Sequence, residues 1–353
     1  MIPRSSPVLS LKGRSVGPDH PCYVIAEIGV NHNGDAQIAH QMIDAAKQAG
    51  ADAVKFQSFC TEDLIGADTR KADYQVAQTG GGSQADMLRA LELDQDTFRS
   101  LRRHCETVGI DFMSTAFDAR SLALVVNLDP VCLKWPSGEI TNVPLMRQAA
   151  QSDLPILLST GMGGLAEIAT AIDTLTQPKQ RDIAILQCVS NYPARIEDQN
   201  LRSLPALSAA FGRPVGFSDH TVGPYAALVA RGLGMCVLEK HFTLDRSQPG
   251  PDHAASIEPE DFASLITLLR QIEQGLGDGV KREIGSVSDV KAVAQKSLVF
   301  GLDLPGGHRL SEADLSAMRP GLGLSPTLLD LFVGRTLRQD VTAGTLVDFA
   351  HVE

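Results

Sequence analysis

VGFSDHTVGPYAALVARGLGMCVLEKHFTLDRSQPGPD, residues 215–252, holds two short apolar runs that each end at a histidine. Pro214–Phe217 leads into Ser218-Asp219-His220, and Met235–Leu238 leads into Glu239-Lys240-His241. Between them Tyr225–Leu233 reads as a helix opened by Gly223-Pro224. Strand, helix and strand at this length make a βαβ unit, whose strands are parallel neighbours. Both histidines then emerge at the same end of one sheet. Two imidazoles on adjacent strand ends can share a divalent metal and leave positions open for a substrate. The competing reading is a pair of unrelated loop histidines.

The same pattern recurs along the chain. Eight apolar, β-branched runs stand at Tyr23–Ile28, Ala53–Phe56, Ile110–Met113, Val131–Leu133, Ile156–Leu158, Ile183–Leu186, Val215–Phe217 and Cys236–Leu238. Amphipathic segments separate most of them: Ile38–Gly50, Leu165–Leu175, Asn200–Phe211 and Pro259–Leu276 carry helical spacing. Eight strand–helix units over this length predict an α/β fold, a closed (β/α)8 TIM barrel, with a doubly wound open sheet as the alternative. The segment Cys60–Leu91, with Gly80-Gly81-Gly82, is long for a βα connection. Such a loop either covers a pocket or decorates the surface.

Past Gly279 the pattern changes. The expected division is a barrel over 1–280, a polar linker over 281–291 and a compact module over 292–353. Within the module, LDLPGGHRLSEADL (302–315) and RQDVTAGTLVDFAHV (338–352) read as a weak internal duplication. A module this small is marginal alone and is expected to pack on something.

Composition bounds the function. A chain of 353 residues, 43% hydrophobic and 21% charged, has the profile of a soluble globular protein. A net charge of −11 argues against nucleic-acid and anionic-membrane partners. The six cysteines form no CxxC pair, and Cys22, Cys132, Cys188 and Cys236 fall in apolar runs, as reduced core cysteines do. No stretch reads as a signal core or a membrane span, so a cytoplasmic protein is expected.

Each apolar run ends in polar residues, and in a barrel those ends converge on one mouth. Lys55 and Lys134 are costly there unless they meet an anion. Thr115, Ser137 and Ser159 add hydroxyls, and Gly138 and Gly161 permit close backbone approach. The set suits a phosphate or carboxylate, with a Schiff-base lysine as the competing chemistry. The histidine pair favours metal activation of a carbonyl. Glu27 and Glu139 are candidates for acid–base work or for holding a metal-bound water, or are structural hydrogen-bonders.

Taken together, IAEIGVNHNG (25–34), AVKFQSF (53–59), KADYQ (71–75), SGEITN (137–142), LLSTGM (157–162), GFSDHT (216–221), EKHFT (239–243) and PGPDH (249–253) resemble the sialic acid synthase family, and MRPGLGLSP (318–326) resembles its antifreeze-like (SAF, β-clip) domain. The resemblance runs from about Arg14 to the end of the chain. It implies condensation of phosphoenolpyruvate with an N-acylated hexosamine, a divalent ion (Mn2+, with Mg2+ or Co2+ as alternatives) and a domain-swapped homodimer. Carried over, His220 and His241 are metal ligands. Lys55, Thr115, Lys134, Ser137, Ser159, Ser190 and Ser218 hold phosphoenolpyruvate. Glu27, Gln57, Glu139, Tyr192, Asp252 and Arg319 contact the sugar or metal-bound water. Trp135, Ala116 in STAFD and Ala254 after PGPDH depart from the family pattern. KADYQ and SGEITN resemble the branch that makes N-acetylneuraminate or diacetyllegionaminate. Another metal-dependent barrel aldolase and a catalytically dead carbohydrate-binding barrel are the alternatives.

Overall fold

The computed structural model describes residues 7–66 and 69–353. Met1–Ser6 and, within the long Cys60–Leu91 segment, Ala67 and Asp68 lie outside the described residues. The chain divides into two compact units, one ending at Gly277 and one starting at Asp278.

The first unit opens with a hairpin, β1 (Leu9–Leu11) and β2 (Arg14–Val16), that the apolar runs did not announce. Eight parallel strands follow: β3 (Tyr23–Gly29), β4 (Ala53–Ser58), β5 (Asp111–Ala116), β6 (Leu133–Trp135), β7 (Ile156–Ser159), β8 (Ile183–Cys188), β9 (Val215–Asp219) and β10 (Val237–His241). They close into a barrel in chain order, with β10 pairing back onto β3. The open-sheet alternative is thereby excluded. β9 and β10 are parallel neighbours, and the histidines leave them at one end.

Every strand ends later than its apolar run, β3 and β7 by the single residues Gly29 and Ser159 and the others by two or three residues. The backbone ladder does not depend on side-chain polarity, so pairing continues into the polar residues that face the mouth. The helices Leu165–Leu175 and Pro259–Leu276 have the bounds that their spacing predicts. Asp35 caps the helix Ala36–Gln48, its Oδ1 accepting from the Gln37 and Ile38 amides.

Alternate strand residues face the axis. The lower axial layers hold Tyr23, Ile25, Met113, Leu157, Leu186 and Val237, and the hairpin's Leu9, Leu11 and Val16 close them from below. The outward residues, Val54, Phe56 and Leu238 among them, pack under the helices. The barrel is therefore solid at the bottom and open at the top.

In the second unit, the expected linker is not irregular throughout, since residues 285–287 form a short 3-10 turn and Ser288–Ala294 a helix. β11 (Ser297–Phe300) pairs with β12 (Leu315–Met318). The suspected duplication is structural. Asp303 Oδ1 accepts from Ala343 N at 2.7 Å, and Asp340 Oδ1 accepts from Gly306 N at 2.8 Å. Leu304 bridges Val341 between these contacts. Gly307 and Gly344 both take positive φ, +81° and +82°, at matching turns. The two repeats thus clasp one another.

Candidate active site

Two residues above the apolar layer, the axial positions change character. Glu27, Lys55, Thr115 and Lys134 stand on β3 to β6, and Ser159, Cys188, Ser218 and Glu239 on β7 to β10. All of them line one cavity of about 270 Å3 at the strand ends.

Lys55 is the centre of this ring. Its Nζ lies 2.9 Å from Glu27 Oε1, donates to Thr115 Oγ1 at 3.0 Å and lies 3.8 Å from Glu239 Oε2. Lys134 Nζ lies 3.4 Å from Glu239 Oε1, which also accepts from Ser218 Oγ at 2.9 Å. Gln57 Nε2 donates to Glu27 Oε1 at 3.1 Å. The two lysines thus share an internal counter-ion, Glu239, to which sequence reasoning gave no role. The parity of β10 could have found it, since Glu239 stands two residues before His241 and faces the same way. Lys240, between them, faces outward and pairs with Asp219 at 2.8 Å.

The charges follow from burial and neighbours. Burial pushes the Glu239 carboxyl up, but Lys134 and Lys55 outweigh it and hold it at about 2. Burial raises Glu27 to about 7, with Lys55 opposing and Glu239 adding to the rise. Burial works against the Lys55 ammonium, yet Glu239 and Glu27 carry it above its ordinary value. A lysine kept charged between two carboxylates suits anion binding better than Schiff-base chemistry. Lys134 is lowered, chiefly by burial.

Four buried polar atoms of this cavity have no hydrogen-bond partner within the described residues: Glu27 Oε2, Glu239 Oε2, Ser159 Oγ and His241 Nδ1. Buried polar groups are normally partnered. Four orphans facing one cavity mark the place of a polar ligand.

The histidines stand on one side of it, ring centroids 5.3 Å apart. His220 Nδ1 lies 2.7 Å from Val189 O; a carbonyl only accepts, so Nδ1 carries the proton and Nε2 keeps its lone pair. His241 Nδ1 lies 3.8 Å from Asp252 Oδ2. Burial lowers His220 to about 4 and His241 well below its usual range, so both rings are neutral, as metal ligation needs. The donor set fits a divalent ion bound through two imidazoles. Among the described residues no group of three or more His, Cys, Asp or Glu side chains is gathered for a metal. Water and substrate would therefore complete such a site. Tyr192 lies against His220 at 4.3 Å between centroids, and burial raises Asp252 to about 6.

The remaining candidates divide. Ser137 lines the cavity and is hydrogen-bonded to Ser190 at 2.7 Å, which stands behind it. Glu139 lies outside the lining: it ends the turn Ser137–Glu139 and accepts from Asn142 Nδ2 at 2.6 Å. Arg319 belongs to the second unit, where its Nε donates to Ala294 O at 2.9 Å. The long Cys60–Leu91 segment is no mere decoration. It forms three short helices, Thr61–Leu64, Asp73–Thr79 and Gln84–Leu91, and supplies Gln75, Met87, Leu88 and Leu91 to the cavity wall.

A closed barrel whose mouth sets two buried lysines and a neutral histidine pair around orphaned donors and acceptors defines an enzyme built for an anion beside a polarised group. The profile of the NeuB family matches residues 42–281 and that of the SAF domain matches residues 295–353, and the chain belongs to the NeuB family. It is 42% identical to the N,N'-diacetyllegionaminic acid synthase of Legionella pneumophila, over 96% of each chain. It is 34% identical to the human N-acetylneuraminate-9-phosphate synthase, over 85% of this chain and 83% of that one. A crystal structure of an N-acetylneuraminic acid synthetase from Leptospira borgpetersenii in complex with citrate superposes with a TM-score of 0.73 at 32% identity, covering 81% of this chain and 95% of the other.

Proposed function

We propose that the chain condenses phosphoenolpyruvate with an N-acylated hexosamine. The acceptor is N-acetylmannosamine or a 2,4-diacetamido-2,4,6-trideoxymannose, and the products are N-acetylneuraminate or diacetyllegionaminate plus phosphate. The observation that carries this reading is the Lys55–Glu239–Lys134 cluster among orphaned polar atoms, on a chain whose relatives are synthases of this kind.

In this reading Lys55 and Lys134 hold the phosphate and carboxylate of phosphoenolpyruvate, helped by Thr115, Ser137, Ser159 and Ser218, with Ser190 fixing Ser137. His220, through Nε2, and His241 would hold a divalent ion, Mn2+ in this reading, which when bound polarises the acceptor's aldehyde. Gln57, Tyr192 and Asp252 orient the sugar. The π pair of the enol forms the new bond to the aldehyde carbon as the C=O π bond opens, and the aldehyde oxygen takes a proton from water. Water then adds to the phosphate-bearing carbon and gives a proton to Glu27, whose raised pKa suits that exchange. The C–O bond to phosphate breaks last, its electron pair and the proton of the added hydroxyl leaving with phosphate as the ketone forms. Orientation in the closed mouth supplies the remaining advantage.

The enzyme works as a homodimer in which Arg319 reaches the partner's acceptor site. It resides in the cytoplasm, where phosphoenolpyruvate is made and its six free cysteines stay reduced. Incubation with phosphoenolpyruvate, Mn2+ and a panel of mannosamine derivatives tests the reading by released phosphate and product mass. Chelation should abolish turnover and Mn2+ restore it. Absence of phosphate with every acceptor would refute it.

A further inference from the structure

The two walls of the cavity differ in chemistry. The floor is ionic, as described. The wall raised by the helix Gln84–Leu91 is apolar: Met87, Leu88 and Leu91 face the cavity beside Val30 and Phe117. These five belong to one hydrophobic cluster with Phe59, so the helix is fastened to the barrel rim by the same contacts that line the cavity. Ser83 fixes its start, the Oγ accepting from Asp86 N at 3.0 Å.

No cation serves that wall among the described residues. The lining carries two, Lys55 and Lys134, both engaged with Glu239 at the floor. Lys71 donates to Thr79 Oγ1 and to the carbonyls of Gly80 and Gly81. Arg89 pairs with Glu62 at 3.0 Å on the exposed side of its helix. A phosphate dianion set against Met87 and Leu88 would lose its hydration without meeting a cation from the described lining. A methyl group there loses nothing and gains burial.

We infer that Met87 and Leu88 select the acceptor, admitting a hexosamine with apolar substituents, such as a 6-deoxy methyl or an added N-acyl methyl, and rejecting a 6-phosphate. This rests on the synthase reading and names the substrate class within it. An apolar wall distinguishes a methyl from a hydroxymethyl by roughly 10- to 100-fold, and a built cationic site would be needed to favour a phosphate.

The experiment compares kcat/KM, by phosphate release, for 2,4-diacetamido-2,4,6-trideoxymannose, N-acetylmannosamine and N-acetylmannosamine 6-phosphate. The unaltered enzyme should rank them in that order. Met87→Ala with Leu88→Ala should cut the preference for the first over the second by about 10-fold or more, with KM for phosphoenolpyruvate unchanged. Met87→Leu and Leu88→Met, which keep the wall apolar and the helix packed, should retain the preference. Leu88→Lys should raise relative use of the 6-phosphate. Best turnover of the 6-phosphate by the unaltered enzyme, or an equal loss on all acceptors in the alanine variant, overturns the inference while leaving the synthase reading standing. No phosphate release with any acceptor overturns both.

Discussion

Glu239 carries two buried ammonium groups on one carboxylate, and its loss should be felt before any substrate arrives. Glu239→Gln leaves Lys134 without its carboxylate partner at 3.4 Å and Lys55 with Glu27 alone. Breaking a buried pair by removing one partner costs about 3–5 kcal/mol. Denaturant titration should show that loss, and added phosphoenolpyruvate should recover more stability in the variant than in the parent, because the ligand's anions replace the missing charge. Equal stabilisation of the two would mean that the lysines do not meet the ligand. Glu27 makes a separate prediction. Burial raises its folded pKa from 4.5 to about 7. Its contribution to stability is therefore fully present below pH 4.5 and is lost as pH rises through about 7. Turnover runs the other way, because the ionised carboxylate takes the proton. The rate should fall about tenfold per pH unit on the acid side of pH 7. Glu27→Gln should abolish both dependences; a surviving acid limb in a residually active variant would assign it to another group.

The strands were the most legible elements, and their limits show why. An apolar run reports where a strand is buried, and β8 continues through Gln187 and Cys188 because a parallel ladder needs backbone only. Glu239 was hidden for a related reason. Read as one polar cluster with Lys240 and His241, it loses the alternation that sends Lys240 outward to Asp219 and Glu239 inward to the lysines. Glu139 is the opposite case: a carboxylate four residues past the end of β6 lies on a turn, where parity no longer fixes its direction. The hairpin β1–β2 is too short to show periodicity, and tertiary packing alone defines it. Period two also explains Gly216. It occupies an axial position on β9, where an added Cβ would lie 2.8 Å from Val237 O and 3.0 Å from Leu186 Cγ. The nearer atom is backbone and cannot turn aside. Gly216→Ala should destabilise the barrel by about 1–3 kcal/mol, read as a lower denaturation midpoint at an unchanged slope. An unchanged midpoint would mean that the axial layer has slack.

At the scale of the whole molecule, the question is why a complete barrel carries a second unit. The cavity orients an anion with its floor and an apolar substituent with its wall, yet its described lining offers no guanidinium for an acyl oxygen. Arg319 has one to offer. It is exposed on the second unit, and the bond from Nε to Ala294 O anchors one edge of the fork. A guanidinium anchored in this way meets a carbonyl with less ordering cost than a free side chain. Under the proposed dimeric arrangement, Arg319→Ala should raise KM for the acceptor and leave KM for phosphoenolpyruvate unchanged. His220→Ala should remove turnover by a different route, through the barrel. The two defects then lie on different chains' contributions to one site. Mixed after subunit exchange, Arg319→Ala and His220→Ala chains should regain activity at one of the two sites in each mixed dimer, since that site draws an intact barrel from one chain and an intact arginine from the other. Mixing that restores nothing, once exchange has been verified with labelled chains, would mean that Arg319 serves its own barrel or none.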